Sequence, residues 1–169
     1  KVLEQSERFF WSFCDDYLEL VKARRYGDFT TEGAASANSA MLVALSALLR
    51  LFVPYLPFVT EEVWSWWCPG SIHLARWPTD VEVVNPLGGN DAAALTVFLQ
   101  SQAAVAEWRR VRALTGKPAK ATIDRARLPS AFEPRMPAVQ DFKAAMHIKE
   151  LEFADVAAAE LTFFEEPVA

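Results

Sequence analysis

The 169-residue sequence predicts a mainly α fold: a helical bundle over residues 1–80, a linker at 81–90, and a small α+β C-terminal domain over 91–169. Three observations carry this. Apolar residues recur at helical spacing through the first part of the chain. A run of Pro, Gly, Asn and Asp residues, with Gly88 and Gly89 in tandem, then breaks the pattern. Beyond it, one long helical stretch gives way to strand-like runs around a shorter helix. With 52% hydrophobic, 12% aromatic and 23% charged residues, the composition is that of a folded soluble protein. A chain of this length hides roughly two thirds of its unfolded surface, enough for a real core.

The first element reads on a helical wheel with 100° per residue. Phe10, Phe13, Cys14, Tyr17 and Val21 fall at the centre of one face, with Phe9 and Leu20 on one margin and Trp11 and Leu18 on the other. Arg8, Ser12, Asp15, Asp16, Glu19 and Lys22 lie opposite. An apolar arc wider than half the circumference implies a helix packed on two sides. Lys22, Arg24 and Arg25 suit the negative end of the helix dipole, and Gly27 offers a stop.

Thr30 and Thr31 introduce a second helix over 34–52, rich in Ala and Ser and then in Leu, with Arg50 as its only charge. So apolar a stretch invites a membrane reading. Ser36, Asn38, Ser39 and Ser46, with the break at Pro54, favour a central buried helix and no membrane. Pro57 opens a third helix, where its missing N–H costs nothing, with Thr60, Glu61 and Glu62 in the first turns and Val63, Trp64 and Trp67 as a packing face. Residues 71–77 read as a short extended segment closed by Pro78. After the linker, 91–114 reads as a helix with Asp91 as a possible cap and Gly116 as its end. A strand at 119–123, a helix at 134–146 and strands at 148–153 and 158–164 complete the order.

Charge and motif content narrow the chemistry. Seventeen Lys and Arg against 22 Asp and Glu leave a net charge of −5, which disfavours a sequence-independent nucleic-acid coat or a polybasic membrane binder. Locally the balance differs. Seven basic residues stand against two acids between Glu107 and Arg127, and after Leu128 eight acids stand against three bases. Cys14 and Cys68 signal neither a disulfide framework nor a zinc site, so a reducing cytosol is the default. There is no Gly-rich phosphate loop, nucleophile elbow or histidine pair, so no catalytic residue and no metal ligand is assigned. Asp15, Asp16 and Glu19 form an acidic cluster better read as a solvated face, and His73 and His147 read as ordinary structural residues. In the aromatic cluster, Phe10 and Phe13 belong to the core, which leaves Phe9 and Trp11 as candidates for base stacking. The charged start at 1–8, with no Met, reads as neither a signal peptide nor a natural beginning, so a longer parent is expected.

The run 9–22, Phe-Phe-Trp-Ser-Phe-Cys-Asp-Asp-Tyr-Leu-Glu-Leu-Val-Lys, closely resembles a helix in the anticodon-binding region of class I valyl-tRNA synthetases. The run 54–64, Pro-Tyr-Leu-Pro-Phe-Val-Thr-Glu-Glu-Val-Trp, followed by Ser71-Ile72-His73 and Trp77-Pro78, is similar to the next landmark of that domain. The resemblance covers residues 1 to about 80 firmly. From 91 onward the chain is more loosely similar to the C-terminal appendage of the family, often a coiled coil. Here the strand-like runs imply a compact α+β appendage.

The family attaches valine to its tRNA using ATP, in a catalytic core whose signatures are absent from these residues. The resemblance therefore implies a helical-bundle anticodon-binding region followed by its appendage, with tRNA for valine as partner, no cofactor in this piece, ATP for the parent, and a cytoplasmic location. It also implies that preceding helices of the same domain cover Phe10, Phe13 and Tyr17 in the parent, and that here a dimer partner, through self-association of the fragment, or the appendage covers them instead. Lys22, Arg24 and Arg25 are the expected anticodon-loop contacts, with Trp11 as a stacking residue. Arg109, Arg110, Arg112, Lys117 and Lys120 are expected, on charge alone, to meet the tRNA backbone. A helical protein-interaction or scaffold module without RNA binding is the alternative, and a metal-dependent enzyme using Asp15, Asp16 and Glu19 a distant third.

Overall fold

The first 25 residues form one interrupted helical run: α1 (Val2–Ser12), a π-helical turn (Phe13–Tyr17), α2 (Leu18–Leu20) and α3 (Lys22–Arg25). The computed structural model describes residues 1–84, 92–116, 118, 121–133 and 136–162. In the π turn the Leu18 N–H donates to the Phe13 carbonyl, five residues back. One extra residue in a turn rotates everything downstream by about 100° relative to an unbroken α-helix. The wheel reading holds only in part: Val21 is buried as placed, and Arg8, Asp15, Glu19 and Lys22 are exposed. Phe13, Cys14 and Tyr17, expected at the centre of the buried face, are half-buried, and Leu20, expected on a margin, is buried beside Val21. The run ends as expected at Gly27. Its φ of +86° is left-handed, the Asp28 N–H donates to the Ala23 carbonyl and the Gly27 N–H to the Arg24 carbonyl.

Helix α4 (Thr31–Phe52) starts at a Thr30 cap, whose Oγ1 accepts from the Gly33 N–H at 2.9 Å. It packs against α1, α3 and α5 (Pro57–Ser65). Its 22 residues include an 18-residue stretch with mean hydropathy 1.5, which meets the length and composition of a membrane span, but only 22% of that stretch is buried. The expectation of a central buried helix is therefore corrected: α4 lies against its neighbours along one side and leaves Leu42 and Leu45 exposed. Its one deep charge is fully engaged. The Arg50 guanidinium donates to the Ser46 carbonyl and hydroxyl and the Arg76 carbonyl, and pairs with Glu82 of α6 (Asp80–Val84). That helix occupies the first residues read as linker, and 85–90 lie outside the described residues.

Residues 71–77 form no strand and are extended only in part, at Ser71 and Ala75. They form a 3-10 turn at Ile72–Leu74, because Glu61 of α5 accepts from both the Ser71 hydroxyl and the Ile72 N–H, and the Ser71 hydroxyl in turn accepts from the His73 N–H. These side-chain bonds draw the segment onto α5.

The remainder is α7 (Ala92–Thr115), β1 (Ile123–Pro129), α8 (Met136–Ala145), β2 (Ile148–Ala154) and β3 (Glu160–Thr162). The cap expected at Asp91 lies outside the described residues, and Gly116, φ +66°, follows the end of α7. The first strand begins at Ile123, where the expected one ended. Sheet order is β2-β1-β3. β1 and β2 are parallel with Ile123 opposite Ile148, joined through α8, while β3 runs antiparallel to β1 with Arg127 opposite Glu160. A parallel pair needs a crossover, and the α8 segment supplies it. The core gathers Ile123, Ala126 and Leu128 of β1, Phe132, and Phe142 and Met146 around α8, with Val97, Val105 and Trp108 of α7. Leu20 of the first helical run joins this same cluster.

Candidate nucleic-acid interface

The end of the first helical run presents three cations in four residues. Lys22 and Arg25 point outward. The Lys22 ammonium lies 3.2 Å from Glu19 in an exposed i, i+3 pair, and the Arg25 guanidinium sits 5.8 Å from the ring centre of Tyr26, itself 74% exposed. Such pairs are weak and easily exchanged for a phosphate or a base. Arg24 turns inward. Its guanidinium is 2.8 Å from the Asp141 carboxylate of α8, both side chains being largely hidden from solvent. Burial pushes the Asp141 carboxyl up to about 6, outweighing the pull of Arg24. The Tyr17 phenol is raised for the same main reason, with Arg24 lowering it and Asp141 raising it.

Trp11 is 59% exposed and edge-on to Phe10, which packs edge-on against Phe52 of α4. Phe9 is also exposed, and stacks with Phe13. Tyr17 meets Phe98 of α7, so part of the aromatic face is covered by the C-terminal part of the chain.

The charge segregation along the sequence has a structural counterpart. Arg125 pairs with Glu150 and Glu152 of β2, and Arg127 with Glu160 of β3, so the base-rich strand lies between acid-rich partners. Arg110 is held by Glu107 in two hydrogen bonds, which lowers the Glu107 carboxyl and raises the guanidinium. Arg112 lies over the Trp108 ring at 4.6 Å. Arg109 reaches the first helical run, 3.1 Å from the Asp16 carboxylate and 2.7 Å from the Asp15 carbonyl. Lys117 and Lys120 lie outside the described residues. The structure therefore gathers Lys22 and Arg25 at one surface and commits Arg24 and Arg109 to contacts between elements.

A cleft of about 490 Å³ opens beside that surface, lined by Glu19, Lys22, Tyr26, Asp28, Ala145 and His147. His147 is at φ 51°, just beyond α8, and its carbonyl accepts from the Ile123 N–H. Among the described residues no group of three or more His, Cys, Asp or Glu could hold a metal ion. Asp16, one of the acidic cluster, accepts instead from Gln102 and Arg109.

The family model described as the anticodon-binding domain of tRNA ligase matches residues 1–126. The chain belongs to this family. The match runs from α1 into β1, across the predicted boundary at 81–90. Among individual relatives, a valine–tRNA ligase of Leifsonia xyli is 41% identical over 182 aligned positions, covering 99% of this chain and 20% of the relative. One of Cutibacterium acnes is 47% identical over 128, covering 75% and 14%. One of Thermobifida fusca is 59% identical over 95, covering 56% and 11%. The chain thus spans a fifth or less of the length of these relatives.

Within the family frame, the residues that sequence reasoning missed are of two kinds. Tyr26 carried a signal, an aromatic next to two cations just before a stop. Gln102 and Asp141 carried none, because their partners lie 86 and 117 positions away in the chain.

Proposed function

We propose that the chain is the tRNA-recognition part of a valine–tRNA ligase of the cytoplasm, binding the anticodon loop of valine tRNA while the ATP-dependent attachment of valine takes place elsewhere in the parent. The observation that carries the reading is the alignment of 99% of the chain with a valine–tRNA ligase. The exposed Lys22, Arg25 and Tyr26 at one helix end support it in chemical terms. Cations there hold loop phosphates, and Tyr26 offers a flat face to an unpaired base, as does Trp11 further along the run. Arg24 serves this surface from beneath, through its bridge to Asp141. Arg110 and Arg112 supply a secondary backbone contact.

Affinity for a valine tRNA transcript, set against one altered only at the anticodon, tests the reading. The expected result is weaker binding of the altered transcript. Replacing both Lys22 and Arg25 with Ala should lower the slope of log affinity against log salt by roughly 1.4, the value for two phosphate contacts on single-stranded RNA. Equal affinity for both transcripts would favour the scaffold alternative.

A further inference from the structure

The Arg109 guanidinium is engaged within the chain, although its side chain is 40% exposed. It spans to the π turn, where its two terminal nitrogens take the Asp16 carboxylate at 3.1 Å and the Asp15 carbonyl at 2.7 Å. Two helical turns earlier on α7, the Gln102 amide donates to the Ser12 hydroxyl at 3.0 Å and to the other Asp16 oxygen at 2.6 Å. Asp16 is therefore gripped on both carboxylate oxygens from one helix, and its side chain is only 14% exposed. The gripped segment is the irregular one. A π turn is less favourable than α-helix and persists where surrounding contacts specify it. It sets the rotation of α2 and, together with the break at Val21 (φ −86°, ψ 2°), that of α3, and so the direction in which Lys22 and Arg25 point. Leu20, four residues on, is buried in the C-terminal core, so the same rotation is fixed on its apolar side.

We infer that Gln102 and Arg109 are positioning residues for tRNA binding: they clamp the π turn through Asp16 so that the following cations face the anticodon loop. This rests on the function proposed above, and it assigns Arg109 a role different from the backbone contact expected on charge alone. The C-terminal unit then contributes to RNA recognition without touching RNA at this point.

The sign of one substitution separates the roles. Asp16→Asn removes a negative charge near an RNA-binding surface, which by simple electrostatics strengthens binding of a polyanion. The clamp requires the reverse, a loss of about tenfold, the scale of one charged hydrogen bond. Arg109→Lys keeps the charge but cannot span both acceptors, and should weaken binding similarly with an unchanged salt slope. Amide exchange at residues 18–26 should quicken in both variants, read on the full chain by mass spectrometry. Unchanged or tighter binding by Asp16→Asn overturns the clamp, as does unchanged exchange. A slope lower by about 0.7 to 0.9 in Arg109→Ala returns that residue to the phosphate backbone and overturns it equally. Absence of tRNA binding by the parent chain overturns the function on which the inference rests, while the exchange measurement decides the clamp by itself. Gln102→Ala, which removes only a neutral amide, replaces either variant that fails to fold and carries the same expectation.

Discussion

Ile123, Ala126, Leu128, Phe132 and Phe142 are wholly withdrawn from water in the C-terminal unit, whereas residues 1–84 bury Leu20, Val21, Ala37, Leu48, Leu49 and Ile72 and leave Phe58 and Leu74 88% exposed. Both regions are apolar in composition. They differ in what that composition accomplishes. Around β1 it closes a core from several sides. In the helical region it lies on faces covered on one side only, and the elements are fastened by polar devices: the Thr30 cap, Arg50 with Glu82, and Glu61 on the turn at Ser71 and Ile72. The helical region also contributes Leu20 to the other region's core. The C-terminal unit is thus the foundation on which the first helical run is held.

The strongest way to break this comparison is to truncate one Phe in each region. Phe142→Ala should cost about 3–5 kcal/mol, since a fully buried ring leaves a cavity that its neighbours only partly fill. The same change at Phe58 should stay within about 0.5 kcal/mol. Urea denaturation of both variants measures the difference. Comparable losses would mean that residues 1–84 hold a core of the same quality.

The junction between the regions gives a second, smaller effect. Asp141 is faced by Arg24 and Tyr17 from the first helical run, and the cavity beside it is also lined by Ser101 of α7. Its carboxyl titrates near 6 in the folded chain and near 4 in the unfolded one, so the folded state holds the proton more tightly. Its contribution to stability is therefore fully present below about pH 4 and is lost as pH rises through about 6. The unsubstituted chain should gain on the order of 2 kcal/mol relative to Asp141→Asn as pH is lowered from 7.5 to 4. Parallel stability curves for the two proteins would mean that water reaches the carboxylate and that the regions are not closely joined there.

How much of this could be read in advance divides along the same line. Helix positions, the stop at Gly27 and the Thr30 start rest on local chemistry, and the chain carries that chemistry in the residues themselves. The π turn does not announce itself. Phe-Cys-Asp-Asp-Tyr has ordinary helical periodicity, and the side chains of α7 that hold the turn, Gln102 and Arg109, stand some ninety positions later. The 3-10 turn at Ile72–Leu74 escaped for the same reason, since Glu61 decides it. At the candidate site, the cations at 22–25 were visible as a group. Their separation into two outward and one inward residue depends on Asp141 and on the rotation imposed by the π turn. The basic stretch at 107–127 was visible too, but a charge run does not say whether its partners are in solution or in the acidic strands that follow.

The smallest expected effect concerns how α3 and α4 meet. Thr30 Oγ1 accepts from the Gly33 N–H, and a Cβ on Gly33 would lie 3.1 Å from that oxygen and 3.3 Å from Arg24 Cγ. The missing side chain lets the cap and the stem of Arg24 lie against the start of the helix together. Thr30→Ala should cost about 1 kcal/mol, with Thr30→Ser restoring most of it because only the hydroxyl is needed. The loss belongs to the helical region, so it should appear as faster amide exchange in the first turn of α4, while amides of β1 keep their protection. Equal loss of protection in β1 would show that the cap supports the C-terminal core as well, and would place the dependence between the two regions in both directions.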